Sequence, residues 1–246
     1  ILGNAAHAMA GMVATAIPIP PATNKPLIAA TMFGVTTPCV SLAQKQLEAK
    51  DFEVLVFHAT GTGGLTMESF IADGLIAGVL DITTTELADE LVGGILGAGP
   101  NRLTAAAMRG VPQAICVGAL DMVNFGPPET VPEKFKDRRF YHHNASVTLM
   151  RTTPAENDRL GKEIAEKASA ARGPTAILLP LRGISAIDRP GQPFHWPEAN
   201  EALFQSLRNW TGPQVKIVEL DLHINDPEFA TAAVETLLSL MAQPIR

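Results

Sequence analysis

EVLVFHATGTGGLTMES, residues 53–69, combines three features that together indicate an α/β fold. The apolar run Val54–Phe57 is typical of a buried strand, three glycines form a turn after it, and the following residues suit a helix. A helix that begins directly after a strand leaves unpaired backbone N–H groups at its N-terminus, and these attract a phosphate or a carboxylate. We therefore predict a ligand-binding turn at Gly61, Thr62, Gly63 and Gly64.

The same succession of an apolar run and a polar turn recurs along the chain. Further strand-like runs lie at Leu27–Phe33, Gly78–Ile82, Gln113–Ala119, Ser146–Met150, Thr175–Leu181 and Val215–Leu220. Most are continuously apolar rather than alternating, which is typical of strands that are covered on both faces. Helix-compatible segments separate most of them. The sequence thus predicts a mainly parallel open sheet with helices on both faces, a Rossmann-like layered α/β/α fold.

Composition and charge narrow the classes of function. The chain has 246 residues, 18% of them charged, a net charge of −6 and no basic run. We expect neither a nucleic-acid partner nor binding to anionic membranes, because both require a positive surface. No apolar run is long enough to span a bilayer, and the two cysteines fit reduced thiols better than a disulfide. These features predict a cytoplasmic protein.

The residues that follow each strand are the candidates for a binding site. In an open parallel sheet, ligands bind beyond the carboxyl ends of the strands, so all of these turns face one crevice. We predict that a small anionic molecule binds there, held by the glycine turn and by further residues at Thr36, Thr37, Thr84, Glu86, Arg182, Gly183 and Ser185. Two alternatives remain open: threonines after strands often cap the next helix, and Arg182 also suits an ordinary salt bridge. Arg151 is a second candidate partner for an anion.

Known motifs for nucleotides and metals fit poorly. No G-x-x-x-x-G-K-[ST] sequence occurs, and Thr66 stands where a dinucleotide fingerprint would have its third glycine. No histidine pair has the spacing of a metal site, so we predict no metal. A strand-end histidine near a carboxylate titrates near neutral pH and serves acid–base catalysis. The candidate catalytic residues are therefore His58, Asp121, Asp188 and His223.

These turns resemble, in order and over nearly the whole chain, a bacterial, fungal and plant family. This family is described as ATP-binding and is named for the tobamovirus-resistance protein of tomato. The resembling segments are Ala30–Cys39, His58–Gly64, Asp81–Glu86, Asp121–Phe125, His143–Thr152, Leu179–Asp188 and Asp221–Ala230. The resemblance implies ATP or another phosphate-containing ligand. Its plant member is also similar in inhibiting viral RNA replication by binding a viral helicase region.

The resemblance also implies a domain organisation. Members of the family resemble two-domain chains, of which the N-terminal Rossmann-like half is missing here. The apolar segment ILGNAAHAMAGMVATA at residues 1–16 lacks the basic start of a signal peptide and indicates a helix with Asn4 as a candidate cap. We interpret residues 1–24 as the helix and linker that connect to the missing N-terminal domain. Residues 25–246 then form a C-terminal α/β domain.

These inferences lead to one function and one alternative. The leading hypothesis is a metabolic enzyme domain, or half of one, that binds a small phosphorylated or carboxylated ligand at the carboxyl ends of its strands. The alternative is a nucleotide-regulated protein-interaction module without catalysis. The long segments 124–144 and 181–197 are typical of functional covers or subunit contacts, and we expect a homo-oligomer.

Overall fold

The computed structural model describes residues 2–14 and 25–243 of the chain. Its nine strands in these residues are β1 (Leu27–Met32), β2 (Glu53–His58), β3 (Gly78–Thr83), β4 (Gln113–Gly118), β5 (Met122–Phe125), β6 (Phe140–Asn144), β7 (Val147–Arg151), β8 (Thr175–Pro180) and β9 (Lys216–Leu220). Six of them form the main sheet in the order β2-β1-β3-β4-β8-β9, and every neighbouring pair is parallel. The predicted parallel α/β fold is confirmed.

Helices cover both faces of this sheet. They are α2 (Thr37–Glu48), α3 (Thr62–Ala72), α4 (Thr85–Val92), α5 (Ala105–Arg109), α6 (Pro154–Ser169), α7 (Pro197–Trp210) and α8 (Pro227–Met241), and a further helix, α1 (Leu2–Ala14), precedes them in the chain. Alternate residues of β4 point to opposite faces: Cys116 packs in a core with α2 and α8, whereas Ile115 packs in a core with α4, α6 and α7. Both faces of the strands are thus buried, which explains their continuously apolar sequences.

The predicted strand at residues 146–150 exists, but it lies outside the parallel sheet. It is β7, the central strand of a small antiparallel sheet in the order β5-β7-β6. β5 and β6 were not predicted, because they lie at the start and the end of the segment 124–144, which we interpreted as a functional cover or a subunit contact. In β6 the half-buried aromatic residues Phe140 and Tyr141 are followed by three exposed polar residues, so no continuous apolar run marks this strand.

The predicted N-terminal helix corresponds to α1. It begins at Leu2, before Asn4, so Asn4 lies within the helix and is not its N-cap. None of its described residues is buried. The linker that we predicted up to residue 24 falls on residues 15–24, which lie outside the described residues. In the parts of the chain that the structure describes, no helix is long and apolar enough to cross a membrane.

The topology positions the candidate site. The chain runs from β1 outward to β2 and then returns to place β3 on the other side of β1, so the strand order reverses between β1 and β3. All six parallel strands end at the same edge of the sheet, called here the carboxyl edge. Ligands of such folds bind at this edge.

Candidate functional site

A buried ion-pair network centred on Arg102 lies at the exit of β3. The Arg102 guanidinium donates to both oxygens of Asp81 over 2.6 and 2.8 Å, and its Nε donates to Glu86 over 2.7 Å. The side chains of all three residues are fully buried. Burial lowers the pKa of Arg102, but the neighbouring carboxylates of Asp81 and Glu86 raise it more, so the guanidinium stays charged.

Glu86 also explains what the glycine turn binds. Its Oε1 accepts hydrogen bonds from the backbone amides of Gly61 at 2.7 Å and Gly64 at 3.0 Å. Burial raises the pKa of Glu86, while Arg102 and the two amides counteract this shift. The backbone amides at the N-terminus of α3 therefore bind an anion, because they have no partners within the helix. That anion is a carboxylate of the same chain.

Packing accounts for the three glycines of this turn. Gly61 has a φ of 81°, in the left-handed region that favours glycine. A Cβ at Gly63 would overlap the carbonyl oxygen of His58, and a Cβ at Gly64 would overlap the Glu86 carboxylate. Thr62 is exposed at the start of α3. An external ligand would reach the amides of Gly61 and Gly64 only if Glu86 moved away, so their role in ligand binding stays a prediction.

The candidate threonines bond to neighbouring parts of the chain. The Thr36 hydroxyl lies 2.7 Å from that of Thr83, which joins the exits of β1 and β3. Thr37 donates to the carbonyl of Phe33 over 3.2 Å, and Thr84 donates to the carbonyl of Cys116 over 3.1 Å. Thr84 occupies the N-cap position of α4, but its side chain makes no capping bond there. These hydroxyls stabilise the strand exits.

A second buried cluster lies at the exits of β4, β8 and β9. The hydroxyl of Ser185 donates to Asp121 Oδ2 over 2.7 Å, and Nε2 of His223 lies 2.9 Å from the Ser185 carbonyl. Asp188 belongs to the same turn and accepts a bond from the Ile184 amide at 3.0 Å. The structure thus brings together three of the four candidate catalytic residues, Asp121, Asp188 and His223.

Charges within this cluster are strongly perturbed. Burial, together with the nearby Asp188, raises the pKa of Asp121 to about 7, against the opposing effect of Arg151. Burial also lowers the pKa of Arg151, which Asp121 and Asp188 partly offset. Arg151 is fully buried and donates to Asn200 and to the Phe194 carbonyl, so our prediction that it is free to bind an external anion is wrong.

His223 is held as a neutral ring. Burial lowers its pKa, and the charge of Arg189 acts in the same direction. Its Nδ1 accepts from the Asn225 amide at 3.1 Å and from Arg189 at 2.8 Å, while Nε2 faces the Ser185 carbonyl. Both ring nitrogens are therefore bonded within the fold.

His58 lies apart from this cluster. It is exposed at the end of β2 and stacks on Phe33, with 5.5 Å between the ring centroids. Four strand spacings separate β2 from β8, which is about 19 Å at roughly 4.8 Å per strand. The strand order thus separates His58 from the exit of β8, and a catalytic role for His58 stays a prediction. Asp121, three strands away, has Ser185 as its partner.

One cavity opens at the carboxyl edge, beside the exit of β8. Its volume is about 520 Å³, and it contains two of the predicted ligand-binding residues, Arg182 and Gly183. Gly183 has a φ of 130°, and a Cβ there would overlap the Asp188 carbonyl and approach the His223 ring. The remaining lining residues are Leu181, Pro190, His195, Pro197, Glu198, Asn200, Glu201, Phe204 and Arg208.

Sequence reasoning missed the side of the cavity that α7 contributes. Arg208 of α7 donates to Glu219 and Glu201, each over 2.7 Å. Arg182 donates both arms of its guanidinium to Asp221, over 2.7 and 2.6 Å, and both side chains are exposed. The sequence predicts a functional cover or a subunit contact at residues 181–197, part of which lines this cavity, but no motif in α7 predicts its contribution. Among the described residues, no group of three metal-binding side chains occurs.

The parallel sheet and its covering helices define a doubly wound α/β domain with a polar carboxyl edge. Over residues 25–241 the chain belongs to the Uncharacterised protein family (UPF0261), C-terminal domain. This confirms the resemblance drawn from its turns.

Individual relatives show how much of a longer protein this chain represents. It is 55% identical over 98% of its length to a UPF0261 protein of Clostridium tetani and spans 60% of that relative. It is 44% identical over 98% of its length to the ToMV resistance protein Tm-1(GCR237) of Solanum lycopersicum and spans 33% of it. Among solved structures, a thioesterase domain from the curacin biosynthetic pathway matches at 12% identity and a TM-score of 0.39, covering 88% of this chain and 92% of that domain.

Proposed function

We propose that this domain binds a small carboxylated or phosphorylated metabolite in the cavity beside β8, as part of a metabolic enzyme. The single observation that carries the proposal is the cavity itself, which lies at the carboxyl edge and is lined by Arg182 and Arg208. Its volume of about 520 Å³ falls within the range of small-molecule sites. Guanidinium groups match carboxylates and phosphates through paired hydrogen bonds.

Arg182 is the arginine best placed to receive the ligand. Its partner Asp221 is exposed, and an ion pair in water is weak and screened by salt. A ligand carboxylate or phosphate therefore replaces Asp221 at little cost. Arg102 and Arg151, by contrast, are fully buried and bonded to internal groups, so they serve the fold.

The buried acid cluster favours an enzyme over a purely structural domain. Asn200 lines the cavity, and the same side chain donates to Asp188 over 2.7 Å and accepts from Arg151 over 2.7 Å. Titratable groups with perturbed pKa values beside a cavity are typical of active sites. Burial and Asp188 raise the pKa of Asp121 to about 7, which suits proton transfer at neutral pH.

The rest of the longer relatives is the expected partner of this domain. Because the chain spans 60% of the Clostridium tetani relative, we propose that a further domain closes over the carboxyl edge and that ATP or another phosphate-containing ligand is bound there. The alternative is a nucleotide-regulated interaction module without catalysis. The name of the tomato relative, a ToMV resistance protein, is the observation that favours this alternative.

Isothermal titration calorimetry tests the proposal. Inorganic phosphate, sugar phosphates, dicarboxylates and ATP are titrated into the wild-type chain, Arg182→Gln and the control Arg159→Gln, whose side chain is exposed on α6. We expect at least one compound to bind and its affinity to fall about tenfold or more in Arg182→Gln only, because hydrogen bonds to charged groups are strong. Equal binding by all three proteins, or binding by none, contradicts the proposal. Binding of ATP without turnover favours the interaction module.

A further inference from the structure

Asp121 and Asp188 each have one buried oxygen without a hydrogen-bond partner among the described residues. In both side chains this atom is Oδ1, and both residues are fully buried. The second oxygen of Asp121 accepts from Ser185, and that of Asp188 accepts from Ile184 and Asn200. A buried carboxylate oxygen without a partner is costly, so each of these two oxygens requires a hydrogen-bond donor.

The charges around the pair indicate which occupant fits. Arg151 of β7 faces both carboxylates, and its Nη2 lies 3.8 Å from Asp188 Oδ1. The positive charge of Arg139, the residue before β6, lowers the pKa of Arg151. His223, after β9, is neutral. Two ionised carboxylates and one buried guanidinium would leave an excess negative charge in the interior. One added proton makes this buried group neutral and provides a donor for a free oxygen.

We propose that Asp121 and Asp188 hold a single proton between their free oxygens, and that this proton fastens the segment 183–196 to the carboxyl edge. Asp188 receives N–H donors from two other residues, Ile184 and Asn200, whereas the Ser185 hydroxyl and its own backbone amide are the donors to Asp121. Asp121 is therefore the protonated member. In this proposal its O–H donates to the free oxygen of Asp188.

The proton is coupled to the cavity through the contacts of this segment. Ser185 ties the start of the segment to Asp121, and the Phe194 carbonyl accepts from Arg151 over 2.8 Å near its end. Asn200, which bonds to Asp188, lines the cavity directly. Loss of the proton places two negative charges side by side and weakens the attachment of the segment 183–196 to the carboxyl edge. Control of ligand entry by this proton rests on the proposed function, whereas the shared proton itself does not.

Carboxyl ¹³C NMR and amide hydrogen exchange test the proposal without any ligand. In the wild type we expect one protonated aspartate at pH 6 that titrates near neutral pH. Between about pH 4 and that midpoint, protection of the Ile184 and Phe194 amides should fall by about tenfold per pH unit beyond the intrinsic change, and it should level off above the midpoint. Asp121→Asn, whose amide donates in place of the O–H, should keep this protection, and the exposed control Asp137→Asn should behave like the wild type.

Two results would overturn the proposal. One is that both carboxylates are ionised at pH 6, which would mean that a water molecule or a cation, and not a shared proton, lies beside the free oxygens. The other is a pH-dependent loss of protection in Asp121→Asn equal to that of the wild type. If Asp121→Asn does not fold, the wild-type titration alone decides. No ligand is present in these experiments, so neither result bears on the proposed ligand binding. A failure to bind any ligand would likewise not contradict the shared proton.

Discussion

The carboxylate of Glu86 accepts a hydrogen bond from the amide of Gly61 over 2.7 Å, at the N-terminal end of α3. A glycine-rich turn between a strand and a helix commonly marks a site for an external anion. Here the anion is internal, and Arg102 holds its other oxygen. The turn, the carboxylate and the arginine therefore form one structural unit of the fold.

Replacement of Glu86 by Gln should destabilise the protein. The variant leaves the buried Arg102 with fewer negative partners, and breaking a buried ion pair costs roughly 3 kcal/mol in the free energy of unfolding. Urea denaturation measures this loss. The control Glu166→Gln removes an exposed pair with Lys162 and should cost at most about 0.5 kcal/mol. Similar losses in the two variants would show that the buried ion-pair network contributes no more to the free energy of unfolding than an exposed ion pair does.

Gly63→Ala should be poorly tolerated. The new methyl group would overlap the carbonyl oxygen of His58, a backbone atom that cannot move independently of β2. Overpacking of this kind costs roughly 2 kcal/mol or more. Gly34→Ala is the matched control, since no atom lies within 4 Å of its added Cβ. Thermal unfolding of the two variants should differ clearly, and equal melting temperatures would refute the packing explanation for this glycine.

Asp89 should make stability depend on pH. Burial raises its pKa to about 7, although hydrogen bonds from Asn124 counteract the shift. The folded state thus holds the proton more tightly than the unfolded state, where the pKa of aspartate is about 3.9. The stability from the protonated form is complete below about pH 4 and is lost as the pH rises through about 7.

The measurement is the free energy of unfolding of the wild type and Asp89→Asn at several pH values. Between pH 4 and pH 7 the wild type should lose as much as about 4 kcal/mol more than the variant, which cannot titrate at this position. Parallel pH profiles for the two proteins would mean that Asp89 is ionised in the folded state.

Asp221→Asn should strengthen anion binding at the cavity. The substitution removes a negative charge that competes with the ligand for Arg182. We expect affinity for inorganic phosphate or a dicarboxylate to rise several-fold at low salt, with a smaller gain at high salt because exposed charges are screened. Isothermal titration calorimetry at two salt concentrations measures both effects. The control Asp158→Asn, an exposed residue of α6, should change neither. Unchanged affinity in Asp221→Asn would argue against ligand binding at Arg182.

Local sequence patterns predicted the parallel sheet well. For β3, predicted at Gly78–Ile82 and observed at Gly78–Thr83, a buried run that is apolar except for Asp81 lies between a glycine and a group of threonines. Burial on both faces imposes this pattern. The edge strand β6 is not buried on both faces: two half-buried aromatic residues are followed by three exposed polar ones, so no continuous apolar run predicts it.

The candidate site was predictable in its location and less so in its contacts. Asp121, Ser185 and His223 meet because parallel strands end at one edge, a rule that needs only the strand assignment. The bond between Gly61 and Glu86 joins residues 25 positions apart, and either residue alone looks like a ligand-binding group. Arg102, which links Glu86 to Asp81, lies in a loop without periodicity. The cavity depends on the packing of α7 against the exit of β8. Local sequence does not show how closely these two elements approach each other.

The bond network around Glu86 also constrains how this chain can evolve. Positions 61, 64, 86 and 102 share one set of hydrogen bonds, so the effects of substitutions at these positions are not additive. A substitution at position 86 alters the effect on stability of every later substitution at the other three positions. Natural selection therefore acts on these four positions as a group, and homologues should change them together or keep them all.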